Sequence, residues 1–226
     1  MESTKPARPT NLLTKRLFDT VSASTLLLVA LPIMAAIAVV IAIDSPGSFL
    51  FSHERIGRFG KRFRVYKFRT LITDAPRYSY KLKTNDVRVT GPGRFLRLTG
   101  LDELPQLVNV IKGDMSLVGP RPELPFIVEQ YEDWQHERHH VRPGLTGWWQ
   151  IHFRNEEPMH LRTDYDVHYV RNLSWRLDAL ILAQTVKIVS VGVVRALRNG
   201  KSEHTVQQPQ SHVQIDGRAA EAQELG

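Results

Sequence analysis

The sequence predicts a mixed α/β, helix-rich chain with an N-terminal re-entrant membrane helix hairpin, a polar domain behind it and amphipathic helices at the membrane interface. Three observations carry that prediction. Val21 to Ile43 holds no charged residue, which is longer than the ~18 apolar residues that mark a membrane segment. Ser48 to Thr70 is strand-like, with Phe63, Val65 and Lys67 alternating with Arg64, Tyr66 and Phe68. Leu104, Leu107, Val108 and Ile111 recur at helical spacing.

Residues 1–14 are polar and read as a flexible N-terminus. The segment 15–47 reads as the membrane helix. Lys15 and Arg16 precede the apolar run, and Arg55, Arg58, Lys61 and Arg62 follow it. A spanning helix shows its Lys/Arg excess on one side; here both sides look cytoplasmic. Pro32 lies mid-run, where it removes a backbone donor. A helix that breaks at Pro32 and returns to the same face accommodates both facts, provided the freed backbone groups find partners. The domain then occupies 48–198. Within it, residues 77–89 read as irregular and Gly91-Pro92-Gly93 as a turn. Phe126 to His139 reads as a charged helix, and Pro143 to Gly147 as a loop leading to Trp148 and Trp149. Leu177 to Leu197 is a second long helix; Asp178, Gln184 and Lys187 make it a poor span and suit the interface or the core. Residues 199–226 are polar and read as a disordered tail.

The 226 residues carry a formal charge of +7 and no cysteine. Disulfides, thiolate metal sites and cysteine nucleophiles are excluded. The positive balance points to a polyanionic partner: nucleic acid, an anionic membrane face or a phosphorylated substrate. No common nucleic-acid motif occurs, and the apolar run argues against nucleic acid. The histidines show no metal-binding spacing.

Asp102 and Glu103 open a predicted helix. Two readings stand. Thr99 or Asp102 caps the helix, with acids favoured in its first turn; or one carboxylate is a nucleophile or base while the other holds a metal. Mg²⁺ needs only one or two carboxylates alongside substrate phosphates. Arg121 is flanked by Pro120 and Pro122, which stiffen the backbone that presents it. It suits bidentate phosphate binding, or pairing with Glu123. Trp148 and Trp149 suit stacking on a base or sugar, anchoring at the interface, or core packing.

Taken in order, several stretches resemble the monotopic phosphoglycosyl transferases, or bacterial sugar transferases. They are Lys15-Arg16-Leu17-Phe18-Asp19, Lys67-Phe68-Arg69-Thr70, Gly93-Arg94-Phe95-Leu96-Arg97, Leu101-Asp102-Glu103-Leu104-Pro105-Gln106-Leu107, Lys112 to Glu123, Val141 to Gly147 and Asp164 to Tyr169. The resemblance spans roughly residues 15–195. It implies an Mg²⁺-dependent enzyme of the bacterial inner membrane, its catalytic domain facing the cytoplasm. The enzyme would move a sugar-1-phosphate from a nucleotide-sugar to polyprenyl phosphate, beginning exopolysaccharide or glycoconjugate synthesis. It implies Asp102 as nucleophile, Glu103 as metal ligand, Arg121, Arg97 and Arg69 on substrate phosphates, and Pro32 as the membrane helix break. Nucleotide-sugar, polyprenyl phosphate and membrane lipids are the expected partners, nucleic acid is not, and the sequence leaves room for a homo-oligomer. Leu31, Gly100 and the stretch Trp148 to Arg154 depart from the family's usual residues. A non-catalytic membrane scaffold of the same pathway is the competing reading.

Overall fold

The computed structural model describes residues 9–73, 86–153 and 158–199. The expectations for residues 1–8, for 77–85, for Arg154 and for the tail from 200 onward lie outside them.

The apolar run forms one long helix, α1 (Pro9–Asp44), which takes in residues 9–14 as well. Pro32 lies inside it and ends no element. A proline forfeits one hydrogen bond and crowds the preceding turn, which bends a helix more readily than it ends one. The expected break at Pro32 is thus not an interruption of secondary structure. Lys15, Asp19, Ala23, Ala30 and Ile41 are buried against the domain. Leu17, Val21, Leu28, Val29, Ile33, Val40 and Ile43 are exposed. Helical spacing puts the buried set on one stripe and leaves an apolar outer face.

The strand-like stretch becomes an antiparallel hairpin, β1 (Leu50–Ile56) and β2 (Arg62–Phe68), in which His53 faces Val65 and Phe51 faces Lys67. A tight turn, Arg58–Gly60, joins them. Next comes α2 (Gly91–Thr99), capped by Thr90, whose hydroxyl accepts from the Gly93 amide. The 3₁₀ turn Leu101–Glu103 leads into α3 (Gln106–Lys112). A parallel pair, β3 (Ser116–Val118) and β4 (Gly144–Thr146), closes the centre.

The predicted helix 126–139 is instead a short α4 (Pro125–Val128) followed by 3₁₀ turns over Asp133–His140. Arg138 and His139 are buried there, because their partners lie in other elements. The stretch carrying Trp148 and Trp149 is helical, as α5 (Trp148–Phe153), and Trp149 is buried. Two helices finish the fold, α6 (Thr163–Arg171) and α7 (Trp175–Asn199).

The main core gathers Ala23, Val65, Leu107, Val110, Met115, Leu117, Val118, Val141, Tyr169 and Ile181. A smaller cluster of Ile41, Phe68 and Leu96 packs the far end of α1 onto β2 and α2. Buried polar contacts lock these pieces in register. Asn109 donates to Arg64 O (2.7 Å) and accepts from Tyr66 N (3.2 Å), tying α3 to β2. Arg16 donates to Val110 O and Ile111 O, satisfying carbonyls that the end of α3 leaves open. Lys15 lies 2.7 Å from Asp178, and Asp19 accepts from the Ser116 hydroxyl (2.7 Å) and the Leu117 amide (3.2 Å). Tyr169 reaches the other Asp178 oxygen at 2.7 Å. Among the described residues, α1 and α7 contain the two stretches long and apolar enough to cross a membrane, and 11% of each is buried inside the protein. Neither is an ordinary core helix.

Candidate active site

Gly100 ends α2 with φ +80, a left-handed value that glycine adopts without strain. The chain then turns through Leu101–Glu103 and presents Asp102 and Glu103 side by side. The acids do stand in the first turn, but the capping reading holds only in part: Thr99 Oγ accepts from the Leu101 amide at 3.4 Å. Thr99 Oγ bonds back to Phe95 O (2.9 Å), and neither the 3₁₀ turn nor α3 has a side-chain cap.

Glu103 is clamped instead. Its Oε1 accepts from Lys67 Nζ at 2.6 Å and from Arg121 Nη2 at 2.8 Å. Among the described residues its Oε2 has only Arg121 Nη1, at 3.5 Å. Asp102 has no hydrogen-bond partner among the described residues, although Lys67, Arg121 and Arg97 all act on it electrostatically. Lys67 reaches the pair because it lies on the hairpin face shared by Phe51 and His53.

Arg121 reaches the pair because its loop has no freedom. Gly119 N bonds to Thr146 O (2.9 Å) and Gly144 N to Pro120 O (2.8 Å). A Cβ on Gly119 would lie 2.4 Å from Arg142 O, one on Gly144 2.1 Å from Gly119 N, and one on Gly147 2.1 Å from Gly119 O. Backbone therefore packs on backbone, and no side chain fits between. From behind, Arg138 donates to Arg121 O and pairs with Asp166 at 2.6 Å, both fully buried. Glu123 does not pair with Arg121; it binds Arg55 at 3.1 Å.

Of the other expected residues, Arg97 joins the cluster. Its Nε donates to Thr70 Oγ (2.9 Å) and it lies within electrostatic reach of Asp102. Arg69 is committed elsewhere, donating to Ser45 O (2.7 Å), Ser45 Oγ (2.8 Å) and Pro46 O (2.8 Å), where it closes the end of α1. Sequence reasoning did not single out Lys67, His53, Arg55, Arg138 or Asp166 as site residues. Lys67 and Asp166 stood in quoted motifs, and strand alternation puts Lys67 on one face with His53; nothing local marked Arg138 or the role of Arg55.

The electrostatics divide the acid pair. Burial pushes the Asp102 carboxyl up, and the Glu103 charge adds to this against Lys67, Arg121 and Arg97. Burial also opposes ionisation of Glu103, but the charges of Arg121 and Lys67 and their hydrogen bonds outweigh it and hold that carboxyl well below the usual range. Glu103 is held as an anion, whereas the Asp102 carboxyl is pushed toward the proton and keeps its oxygens open. Their oxygens also fit Mg²⁺. Glu103 Oε2 and the unpartnered Asp102 carboxylate are hard donors with open lone pairs. No group of three or more His, Asp or Glu able to hold a metal occurs among the described residues, so substrate phosphates would have to complete the coordination.

An open carboxylate beside a clamped one, ringed by cations, suits attack on a phosphate. The profile of the bacterial sugar transferases matches residues 10–192, which takes in this whole site. The chain belongs to that family. Among its relatives, an uncharacterized sugar transferase EpsL of Bacillus subtilis is 46% identical over 79% of this chain and 89% of its own length. The exopolysaccharide production protein ExoY of Rhizobium meliloti is 38% identical over 83% and 90%. The UDP-glucose:undecaprenyl-phosphate glucose-1-phosphate transferase of Escherichia coli is 40% identical over 80% of this chain but only 41% of its own. The chain thus spans about four-tenths of some bacterial sugar transferases and nearly all of others.

Proposed function

We propose that this sugar transferase moves a sugar-1-phosphate from a UDP-sugar to undecaprenyl phosphate and releases UMP, the first step of exopolysaccharide or glycoconjugate assembly. The observation that carries the reading is the asymmetric acid pair: Glu103 held by Lys67 and Arg121, with Asp102 left open beside it.

Asp102 Oδ attacks the phosphorus that bears the sugar. The bond from that phosphorus to the bridging oxygen breaks, and UMP leaves with the oxygen. An aspartyl phosphosugar results, as carboxylate nucleophiles form. An oxygen of undecaprenyl phosphate then attacks the same phosphorus, Asp102 departs as a carboxylate, and the sugar diphosphate lipid is formed. Lys67, Arg121 and Arg97 face the charge that gathers on the phosphate oxygens. Arg138 and the packed glycines keep Arg121 from swinging away. When bound at Glu103, Mg²⁺ would supply neutralisation of the diphosphate charge.

Membrane placement follows the same logic. The lipid acceptor lives in the bilayer and the nucleotide-sugar in water. Both ends of α1 are held by one domain: Lys15 and Arg16 on α7 and α3, Ile41 and Ser45 on α2 and Arg69. This supports an anchor that enters and leaves one leaflet, bent at Pro32, with the domain in the cytoplasm at the inner membrane. Cysteines at Thr10 and Ser48 should both be labelled from the cytoplasm; labelling from opposite sides would refute that topology.

The reaction is tested with full-length protein in nanodiscs, undecaprenyl phosphate, Mg²⁺ and a panel of UDP-sugars. UMP release with one donor, lost with a chelator and in Asp102→Asn, is expected. Release that persists in Asp102→Asn would overturn the mechanism. No release with any donor would favour a scaffold that keeps the acids without the activity.

A further inference from the structure

One polar group beside the acid pair is left over from this mechanism. His53 lies on β1 opposite Val65, on the hairpin face that also carries Phe51, Arg55 and Lys67. It is therefore the diagonal neighbour of the lysine that clamps Glu103. Its ring is fixed on two sides. Phe51 stacks on it at 5.2 Å between centroids, and Arg55 Nε donates to its Nε2 at 2.6 Å. Arg55 is pinned in turn by Glu123, just past the Pro-Arg-Pro loop, at 3.1 Å.

This geometry settles where the ring proton sits. A guanidinium has donors only, so His53 Nε2 must accept. The ring is neutral and its one proton is on Nδ1. That Nδ1 is shut off from solvent and has no partner among the described residues. A buried donor without an acceptor is unfavourable, and a folded protein keeps one where something else completes it. Of the neighbouring carboxylates, Glu103 is taken by Lys67 and Arg121 and Glu123 by Arg55 and the Leu124 amide, while the open Asp102 is not among the charges that act on His53. An acceptor that enters among Lys67, Arg121 and Arg55 is an anion.

We propose that His53, its tautomer set by Arg55, binds substrate by donating its Nδ1 proton to a phosphate oxygen of the diphosphate. The inference rests on the reaction proposed above. A neutral donor between cations gives direction without more charge: Lys67 and Arg121 attract any anion, whereas the imidazole favours one orientation of it. Arg55 acts through His53 as a positioning residue.

The test is calorimetric binding of UDP and, separately, of inorganic pyrophosphate, each with Mg²⁺, to the full chain in nanodiscs. His53→Leu should weaken both by about tenfold, as loss of one hydrogen bond to a charged group does. The loss should be equal for the two probes, because the contact is to phosphate and not to the base. His53→Gln, which keeps an N–H donor, should stay within about threefold of the parent. Arg55→Lys, which lacks the Nε–H that sets the ring, should fall between them and still fold if His53→Leu does not. Unchanged binding in the folded leucine variant, a loss confined to UDP, or a glutamine variant as weak as leucine would each overturn the assignment. UMP release is followed on the same samples. If the parent protein releases none, the reaction is wrong, and pyrophosphate binding still judges His53.

Discussion

Two lysine–carboxylate pairs in this protein have almost the same length and opposite purposes. Lys15 and Asp178 meet at 2.7 Å, with side chains 9% and 6% exposed. Lys67 and Glu103 meet at 2.6 Å, with side chains 20% and 19% exposed. Around the first, each acid is matched: Asp178 also binds Tyr169, and its neighbour Asp19 holds Ser116 and the Leu117 amide. Around the second, the matching stops one residue short, at Asp102. The closed set of charges fixes a helix; the incomplete set has a lone pair to use. Pair distance alone does not tell a structural ion pair from a reactive one. What distinguishes them is whether the adjacent polar atoms have partners.

The sharpest way to break this contrast is at its open end. Asp102→Asn should lower the rate of UMP release by about 10⁴-fold or more, as loss of a nucleophile does. It should leave the thermal midpoint nearly unchanged, because Asp102 has no hydrogen bond to lose among the described residues. A comparable rate in the asparagine variant would place the nucleophile elsewhere. At the closed end the pattern should reverse. Asp178→Ala leaves Lys15 only the longer contact to Asp19, at 3.9 Å, and removes an acceptor of Tyr169; it should cost about 3 kcal/mol of stability, read from denaturant unfolding in detergent. The pair Lys15→Met with Asp178→Leu should recover most of that, since apolar replacement of a buried ion pair is often neutral. A smaller effect is expected from Arg121→Lys. The charge persists but the two-pronged grip on Glu103 is lost, and kcat/KM should drop by about 10- to 100-fold. The mildest prediction concerns pH. The proposed mechanism requires Asp102 ionised, and burial raises its pKa. Activity should therefore fall, as pH is lowered, at a higher pH than an exposed aspartate would give. Stability should follow Glu103 in the other direction. Its depressed carboxyl contributes above the usual glutamate range and loses that contribution only as pH falls through its lowered value.

The sequence was informative where chemistry is local. The uncharged run, the strand-like stretch, the acid pair and the proline-flanked arginine each announce themselves within a few residues. The charged stretch after the apolar run was harder, since Arg58 and Lys67 look alike until the hairpin register separates them. Arg69 shows the limit. It sits in the same short motif as Lys67, yet one strand end later its guanidinium turns to Ser45 and Pro46 and closes α1. Arg138 lies in a segment that reads as a solvated helix, but it is buried because Asp166 comes from elsewhere to meet it. The packed glycines explain the motifs at 119 and 144–147 only once the two strands are seen in contact. Each of these depends on a partner far away in the chain, and no local pattern encodes it.

The anchor network also sets an order of events during synthesis. Lys15 and Asp178 are 163 residues apart. At about 5–20 residues per second, α1 leaves the ribosome roughly 8–30 s before Asp178 exists. Through that interval an apolar helix carries Lys15, Arg16 and Asp19, whose final partners have not been made. Lys15 and Asp19 stand one helical turn apart, 3.9 Å from each other even in the finished fold. They can hold each other in the meantime, so the nascent helix reaches the bilayer with this pair already neutralised, and later exchanges that temporary pairing for Asp178 and Ser116.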